Sequence, residues 1–522
     1  MPIRMVDDPN DQFDNSGNDN GGGGRRTSGG GGGLFQLLPL LFGLIKNPIG
    51  LVLVLLVGGF LYFKGGCTGL TQQASSVFST GGILDPKEFD KAQVYEGLDE
   101  SKNNLPEAVS LLKFAPHPGN QGQQGSCVAW SSAYGARTIL EASSTGENPD
   151  QKAFSPSFLY NQIGLDGCQG SYIIRAMENM TKVGAVPLDQ FPYDETDCSR
   201  QPSPQLKNEA SQYRMLGFTR LTSGESVNNL DLYAIKQHLA KDVPVVIGMM
   251  VGGSFMQDMI GQEVWHPTDD DYSMMGFGGH AMCVIGYDDR KEGGAFQILN
   301  SWGSEWGQNG VGWVRYNDFK HFTKEAYGLN PMPKSGSADA KDLECSIGLV
   351  ENKTKQYISL KLRNNNIFET TDPIIKGTQF KIEVKNSSSC YVYVLGMETD
   401  GSSYVLFPYP MKTDPTRTKF SPYCGITGYR LFPRGMSMMA DSIGNKDYMA
   451  VVVSKDSLNV FAFNDAVNNK RSNGFAQAIN TAVSQYAITG VNFSNTSDGT
   501  ISFKTEAANK VAVACVVEID KR

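Results

Sequence analysis

Apolar positions recur with different periods along the chain. After Cys127, the stretch VAWSSAYGARTILEA places its apolar residues at helical spacing, and SPSFLYN and YIIRAMENMTKVGA predict further helices. Downstream, short apolar runs bounded by Gly, Asp and Asn predict strands: VPVVIGMMV, AMCVIGY, AFQILN and GVGWVRY. We therefore expect an α+β domain over 105–330, with a helical lobe, a β-rich lobe and a cleft between them.

The C-terminal third of the chain has a different pattern. The Pro, Gly and Ser-rich stretch over 331–342 predicts a linker. Over 343–522, short runs such as YISLKLR, FKIEVKN and KVAVACVVEID alternate apolar and polar residues between turns. This alternation predicts an all-β, sandwich-like antiparallel domain, with one helix at GFAQAINTAVSQYA.

The N-terminal region combines polar and strongly apolar stretches. Residues 1–33 are rich in Gly, Asn and Asp and predict a disordered tail. The membrane segment over 34–63 predicts one transmembrane helix at about 47–63, preceded by an interfacial segment; a cleaved signal peptide is the competing interpretation. Arg25, Arg26 and Lys46 precede the span, so a single-pass topology follows, with the N-terminus cytoplasmic and the remainder periplasmic or extracellular. Residues 64–104 predict a stalk or short pro-segment, with a helix over Pro86 to Leu98.

Composition excludes some functions. The 522 residues are 40% hydrophobic and 19% charged, which is typical of globular proteins. A net charge of −8, without a basic run, argues against a nucleic-acid partner. The nine cysteines include no C-x-x-C spacing, so we expect no zinc and no other cofactor.

The stretch QGQQGSCVAW, residues 121–130, carries the strongest candidate chemistry. Cys127 falls in the first turn of the predicted helix, where the helix dipole and free N–H groups favour a thiolate. Gln121 can direct its side-chain amide at a developing oxyanion. His280 lies just before one predicted strand and Asn300 ends the next. If these strands are neighbours, Asn300 can orient the imidazole of His280 towards Cys127, which predicts a Cys-His-Asn nucleophilic site.

From Leu105 to Asn330 the chain resembles papain-type cysteine peptidases, as a divergent bacterial-like member. The resemblance is carried by the ordered blocks LPEAVSL, QGxxGSC, GHAxxVxGYDD and NSWGxxWGxxGxGWVRY, and more weakly by DGCQGSYIIRAM. It implies a two-lobe fold, with a helical lobe and a β-barrel-like lobe, and a peptide or protein substrate. It assigns these roles: oxyanion donor, Gln121; nucleophile, Cys127; base, His280; orienting residue, Asn300; shield of the His–Asn bond, Trp302; contact to the substrate backbone, Gly170.

The chain departs from this family at positions next to the nucleophile. Gln124 stands where the family has a cysteine, and Val128 where it has a tryptophan. The loss of that cysteine leaves Cys168 without its family partner, and the resemblance implies Cys198 as the replacement. The C-terminal region resembles an accessory domain of unknown function found behind bacterial caspase-like and papain-like peptidases, and its partner stays unknown.

These observations predict a membrane-anchored cysteine endopeptidase that hydrolyses peptide bonds through a thioester at Cys127. Two alternatives share the fold: a catalytically silent binding protein, and a Cys-His acyl transferase in which an amine replaces water. The complete set of Gln121, Cys127, His280 and Asn300 argues against the silent protein. Sequence alone does not separate transfer from hydrolysis.

Overall fold

A computed structural model describes residues 3–7, 79–223, 229–335, 341–411 and 414–522. The predicted tail from residue 8, the membrane segment over 34–63 and residues 64–78 lie outside these ranges. The first strand, β1 (Ile3–Asp7), falls within the predicted disordered tail and pairs with a strand of the C-terminal region.

The prediction of a transmembrane helix needs correction. A membrane-spanning helix takes about 20 predominantly apolar residues, and no helix in the described ranges combines that length with enough apolar character. The predicted span over 47–63 itself lies outside those ranges. The prediction of an N-terminal transmembrane helix is therefore withdrawn from the fold class. The prediction of a single-pass membrane localisation is withdrawn with it.

The N-terminal half of the 105–330 region is mainly helical, as predicted. Cys127 begins a continuous helical run whose middle, Trp130–Arg137, is wound as a π-helix, and which stops at Gly146 in the left-handed conformation. Ser155 caps a later helix by accepting a hydrogen bond from Phe158 N. The elements are α1 (Pro86–Phe89), β2 (Ala108–Ser110), α2 (Cys127–Ala129), α3 (Thr138–Thr145), α4 (Pro156–Ile163), α5 (Ile173–Lys182), α6 (Pro204–Ala210), β3 (Phe218–Arg220) and α7 (Leu232–Leu239).

The second half of this region builds one mainly antiparallel sheet. Its elements are β4 (Val245–Val251), α8 (Gly253–Gln257), β5 (Val264–Trp265), β6 (Gly278–Asp288), β7 (Ala295–Leu299), β8 (Val311–Arg315), α9 (Tyr316–Phe322) and β9 (Thr323–Leu329). The strand order is β3-β9-β4-β6-β7-β8-β5, with β2 added to β6. Strand β6 is buried from His280 to Tyr287, which explains its continuous apolar run. Because β7 pairs with β6, the residues that follow β7 lie close to the start of β6.

The C-terminal region, residues 342–522, contains two sheets, and we call it the C-terminal domain. Its elements are β10 (Asp342–Glu351), β11 (Tyr357–Ile358), β12 (Leu360–Asn364), β13 (Ile367–Thr370), β14 (Gln379–Asn386), β15 (Cys390–Met397), β16 (Ser403–Phe407), β17 (Tyr423–Cys424), β18 (Gly428–Phe432), β19 (Met436–Ala440), β20 (Lys446–Ser454), α10 (Val460–Asn468), α11 (Phe475–Val483), β21 (Phe493–Asn495), β22 (Ile501–Glu506) and β23 (Ala512–Asp520). One sheet runs β1-β19-β14-β10-β22-β21 and the other β12-β13-β23-β20-β15-β16.

Side chains of β20 alternate between two cores. Val451 and Val453 belong to the main core of the domain, whereas Ala450 and Val452 pack with the helices α10 and α11. The second sheet is therefore covered on both faces. Two details differ from the predicted sandwich: β13 runs parallel to β23, and a helix occupies Val460–Asn468 in addition to the predicted one.

Residues 80–103 form two stretches that the sequence pattern did not separate. We call residues 80–84 the cleft segment and residues 85–103 the strap. The predicted helix over Pro86 to Leu98 is limited to α1, and the strap then becomes extended. Val94 forms parallel bridges to Phe420 of the C-terminal domain and to Arg220 of β3. The strap therefore runs between the 105–330 region and the C-terminal domain.

Candidate active site

Cys127 is fully buried at the start of α2. Its Sγ accepts a hydrogen bond of 3.4 Å from Ala281 N on the neighbouring strand β6. Burial raises the pKa of the thiol to about 12, and backbone N–H groups, including those of Ala281, Val128 and Gly82, offset this only in part. In this arrangement the thiol form of Cys127 is favoured, which corrects the thiolate expected from its place in the first turn of the helix.

His280 and Asn300 meet as the strand pairing predicts. His280 Nε2 lies 2.8 Å from Asn300 Oδ1, and the same oxygen accepts a hydrogen bond of 2.8 Å from Ser301 N. Because Asn300 presents an acceptor, Nε2 carries the proton of the neutral ring and Nδ1 holds the lone pair. Nδ1 is buried and has no hydrogen-bond partner among the described residues.

The environment of His280 favours the neutral imidazole. Burial lowers the pKa of His280 to about 4, and the hydrogen bond to Asn300 offsets this only in part. The indole of Trp302 stacks on the imidazole with ring centroids 4.3 Å apart and an interplanar angle of 22°. This ring covers the His280–Asn300 pair on one side, where the resemblance placed it.

Gln121 is held on both sides of its side-chain amide. Its Oε1 accepts a hydrogen bond of 2.7 Å from Ser301 Oγ, and its backbone N donates to Ser301 O at 2.9 Å. Its Nε2 donates to Gln124 O at 2.9 Å and to Thr80 O at 3.4 Å. Ser301 thus fixes which end of the amide faces the cleft. Sequence reasoning missed this residue, although it directly follows Asn300 in the NSW block.

The loop 166–171 forms the wall of the cleft that contacts Gly81 and Ile83 of the cleft segment. Gly170 N donates to Tyr160 Oη at 3.0 Å, and a Cβ at Gly170 would lie 2.3 Å from Gly81 O. The hydrogen bonds along this wall are made by the next residue: Ser171 N donates to Gly81 O at 2.9 Å, and Ser171 O accepts from Ile83 N at 3.0 Å. Gly170 therefore leaves room for the backbone of the cleft segment, while Ser171 forms hydrogen bonds with it.

The structure joins Cys168 and Cys198 in a disulfide, with their Cα atoms 5.9 Å apart. Gln124, at the position where the family has a cysteine, binds the neighbouring loop through hydrogen bonds. Its Nε2 donates to Asp194 O at 3.2 Å and to Glu195 O at 3.3 Å. These hydrogen bonds tie the loop before Cys127 to the loop that leads to Cys198.

The cleft segment occupies the site. Gly82 N donates to Gly279 O at 2.9 Å, next to His280, while Thr80 O faces the amide of Gln121. A Cβ at Gly81 would lie 2.3 Å from Gly125 O, and one at Gly82 would lie 3.2 Å from the backbone of His280 and Ala281. Only glycines fit this close approach without movement of the walls. The pair Gly81-Gly82 was the available sequence signal, in a stretch interpreted as a stalk or short pro-segment.

Comparison with known proteins places this site in a family. Residues 113–330 match the family model described as papain family cysteine protease. An uncharacterised peptidase C1-like protein of Acanthamoeba polyphaga mimivirus is 27% identical over 230 residues, which is 42% of this chain and 69% of that protein. Mouse cathepsin K is 26% identical over 222 residues, which is 42% of this chain and 62% of that protein.

Among solved structures, xylellain, a cysteine protease from Xylella fastidiosa, is 24% identical to this chain. The likeness has a TM-score of 0.39 and covers 49% of this chain and 97% of that structure. The family match ends at residue 330, so it does not include the C-terminal domain. We conclude that the chain contains, over residues 113–330, a cysteine protease domain of the papain family.

Proposed function

We propose that the protein hydrolyses peptide bonds with Cys127 as nucleophile and His280 as general base and acid. The observation that carries this proposal is the joint placement of a helix-start cysteine, a His280–Asn300 pair and the oriented amide of Gln121 around one cleft. Nδ1 of His280 holds a lone pair, so it can accept the thiol proton of Cys127. The resulting thiolate then attacks the carbonyl carbon of a bound peptide.

The remaining steps use the same groups. The Nε2–H group of Gln121 donates to the negative oxygen of the tetrahedral intermediate. Imidazolium His280 then gives its proton to the leaving amine, the peptide bond breaks, and a thioester at Cys127 remains. A water molecule, deprotonated by His280, attacks the thioester, and the thiol of Cys127 is restored when the carboxylic acid product leaves.

Asn300 and Trp302 support His280 without exchanging protons. Asn300 Oδ1 fixes the tautomer and the ring orientation, and the stacked indole of Trp302 shields that hydrogen bond from water. A hydrogen bond kept out of water is stronger than an exposed one. These two residues therefore hold the tautomer and the orientation of the imidazole.

Substrate recognition rests on main-chain contacts at the loop 166–171. Ser171 offers one N–H and one C=O to an extended chain, and Gly170 offers space for its backbone. Main-chain hydrogen bonds do not depend on the substrate's side chains. We therefore propose an extended peptide or unfolded protein segment as the substrate class.

The test needs a protein with an open cleft. Gly81→Val introduces a Cβ that would lie 2.3 Å from Gly125 O at a positive φ of 146°, so Gly81 and Gly125 cannot keep their present positions. We expect the cleft segment to leave the cleft. In this background we expect a peptidyl epoxide to label Cys127 and a fluorogenic peptide to be cleaved, and Cys127→Ala to abolish both. Cys283→Ala is the matched control, because Cys283 is another buried free thiol to which the proposed mechanism assigns no role.

Two results would contradict the proposal. Peptide cleavage that persists after Cys127→Ala would show that Cys127 is not the nucleophile. Transfer of the acyl group to an added amine, in preference to water, would indicate an acyl transferase. Mass spectrometry of the reaction products distinguishes the carboxylic acid from the amide.

A further inference from the structure

The strap contributes to the core of the C-terminal domain. Val94 is fully buried and belongs to the same apolar cluster as Phe420, Cys390 and Cys424. Its backbone is also paired with that domain: Val94 N donates to Lys419 O at 2.8 Å, and Val94 O accepts from Ser421 N at 2.9 Å. Val94 of the strap therefore pairs with the C-terminal domain through its backbone and packs into the core of that domain through its side chain.

Further contacts extend this attachment along the strap. Arg417 Nη2 donates to Lys91 O at 2.9 Å, and Gln93 Nε2 donates to Thr418 Oγ1 at 2.8 Å. Arg430, which is fully buried, donates through Nε to Glu96 O at 3.1 Å. The C-terminal domain thus contacts the strap at several successive positions.

The end of the strap is fastened in the same way. Asn103 Nδ2 donates to Tyr429 O at 3.0 Å, and Asn103 Oδ1 accepts from Tyr429 N at 3.0 Å. Asp99 N also donates to Tyr429 O, at 2.8 Å. Strand β18 therefore holds the last turn of the strap through paired hydrogen bonds.

The other edge of the strap contacts the protease domain. Tyr95 N donates to Arg220 O at 3.0 Å, Tyr95 Oη donates to Gln237 Oε1 at 3.0 Å, and Asp90 pairs with Arg220 at 2.5 Å. Residues 94–98 are all buried. Because the protease domain covers one edge and the C-terminal domain the other, the strap is enclosed only while both are in place.

The cleft segment is bound in the site mainly through its main chain, by Gln121, Ser171 and Gly279. Gly81 and Gly82 carry no side chains, and of the remaining residues Leu84 packs over Gly248. Attachment to a fixed strap, which begins at the next residue, raises the effective concentration of the cleft segment at the cleft and so its occupancy.

We propose that the C-terminal domain functions as the holder of the strap and thereby keeps the cleft segment in the active site. This rests on the proposed function, since it assigns a regulatory role over the same site. The inhibitory unit is then built from three parts: the cleft segment covers Cys127, the strap positions it, and the C-terminal domain fixes the strap. Loss of contact between the strap and the domain opens the cleft without any change in the catalytic residues.

The test measures the rate at which a peptidyl epoxide labels Cys127 in the full chain. The first variant combines Arg417→Ala, Thr418→Val and Asn103→Ala, which removes side-chain contacts between strap and domain. We expect labelling to be about tenfold faster, the factor that corresponds to about 1.4 kcal/mol. The matched control combines Arg471→Ala and Lys504→Met, which removes exposed ion pairs of the same domain away from the strap and leaves labelling unchanged.

Gly81→Val is labelled in parallel, because it opens the cleft directly. Fast labelling of this variant together with wild-type rates in the strap variant would overturn the role of the C-terminal domain and leave the proposed function standing. Absence of labelling in every variant would overturn the proposed function itself. Cleavage of the wild-type chain by itself at Gly81 or Gly82 would identify the cleft segment as a substrate and refute its inhibitory role. Circular dichroism at each step confirms that the variants are folded.

Discussion

Glu96, at the centre of the strap, makes the stability of the protein depend on pH. Burial raises the pKa of its carboxyl from the usual 4.5 to about 8, and the nearby Arg434, Lys381 and Arg430 offset this only in part, while Cys424 adds to it. The difference between these two pKa values corresponds to about 5 kcal/mol.

The sign follows from proton binding. Between pH 4.5 and about 8 the folded protein keeps a proton on Glu96 that the unfolded chain has lost, so stability falls as pH rises. The contribution is fully present below pH 4.5 and lost above about pH 8. Each pH unit within this window lowers the free energy of unfolding by about 1.4 kcal/mol.

Glu96→Gln keeps the shape of the side chain and removes its ionisation. Between pH 6 and pH 8 we expect the wild-type protein to lose about 2–3 kcal/mol more stability than this variant, measured by urea unfolding at each pH. Glu100→Gln is the control, since Glu100 lies on the same strap and is exposed. Parallel pH profiles of wild type and Glu96→Gln would refute a buried, protonated carboxyl at this position.

Further predictions concern the active site and are tested in the Gly81→Val background unless stated otherwise. Gln121→Ala should lower kcat by roughly 10²- to 10³-fold in peptide hydrolysis, because an oriented oxyanion donor is lost; an unchanged kcat would contradict that role. Asn300→Ala should be milder than His280→Ala, because it orients the base and carries no proton, and equal losses would show another role for Asn300. In the wild-type background, Cys168→Ser with Cys198→Ser should lower the free energy of unfolding by about 3–4 kcal/mol for the loop of 30 residues. Equal urea midpoints for this pair and wild type would contradict it.

The lobes and the position of the candidate site were predictable because local signals agreed with one another there. Helical spacing after Cys127 and a buried strand after His280 both describe elements whose neighbours are close in sequence. The pairing of β6 with β7 then brings His280 and Asn300 together across 20 residues. The support of Gln121 by Ser301 was not predictable, since it spans 180 residues and depends on tertiary packing.

The polar, mixed sequence of the strap predicted a helix over Pro86 to Leu98, whereas the structure has one only over Pro86–Phe89. Its central residues are buried by two different domains, so they follow neither the period of a helix nor that of a two-faced sheet. Val94 contacts the C-terminal domain on one side and the protease domain on the other. A sequence pattern records which face of an element is buried, and it carries little information where every face is covered by distant parts of the chain.

The order of the parts along the chain has a consequence for synthesis. Asn103 binds Tyr429, which is 326 residues later in the sequence. At about 5–20 residues per second, a ribosome needs about 16–65 s to travel from one to the other. The protease domain leaves the ribosome within this interval, whereas β18 does not exist until its end. Each newly made molecule therefore passes through a period in which its candidate catalytic residues have been synthesised and the strands that fasten the strap have not.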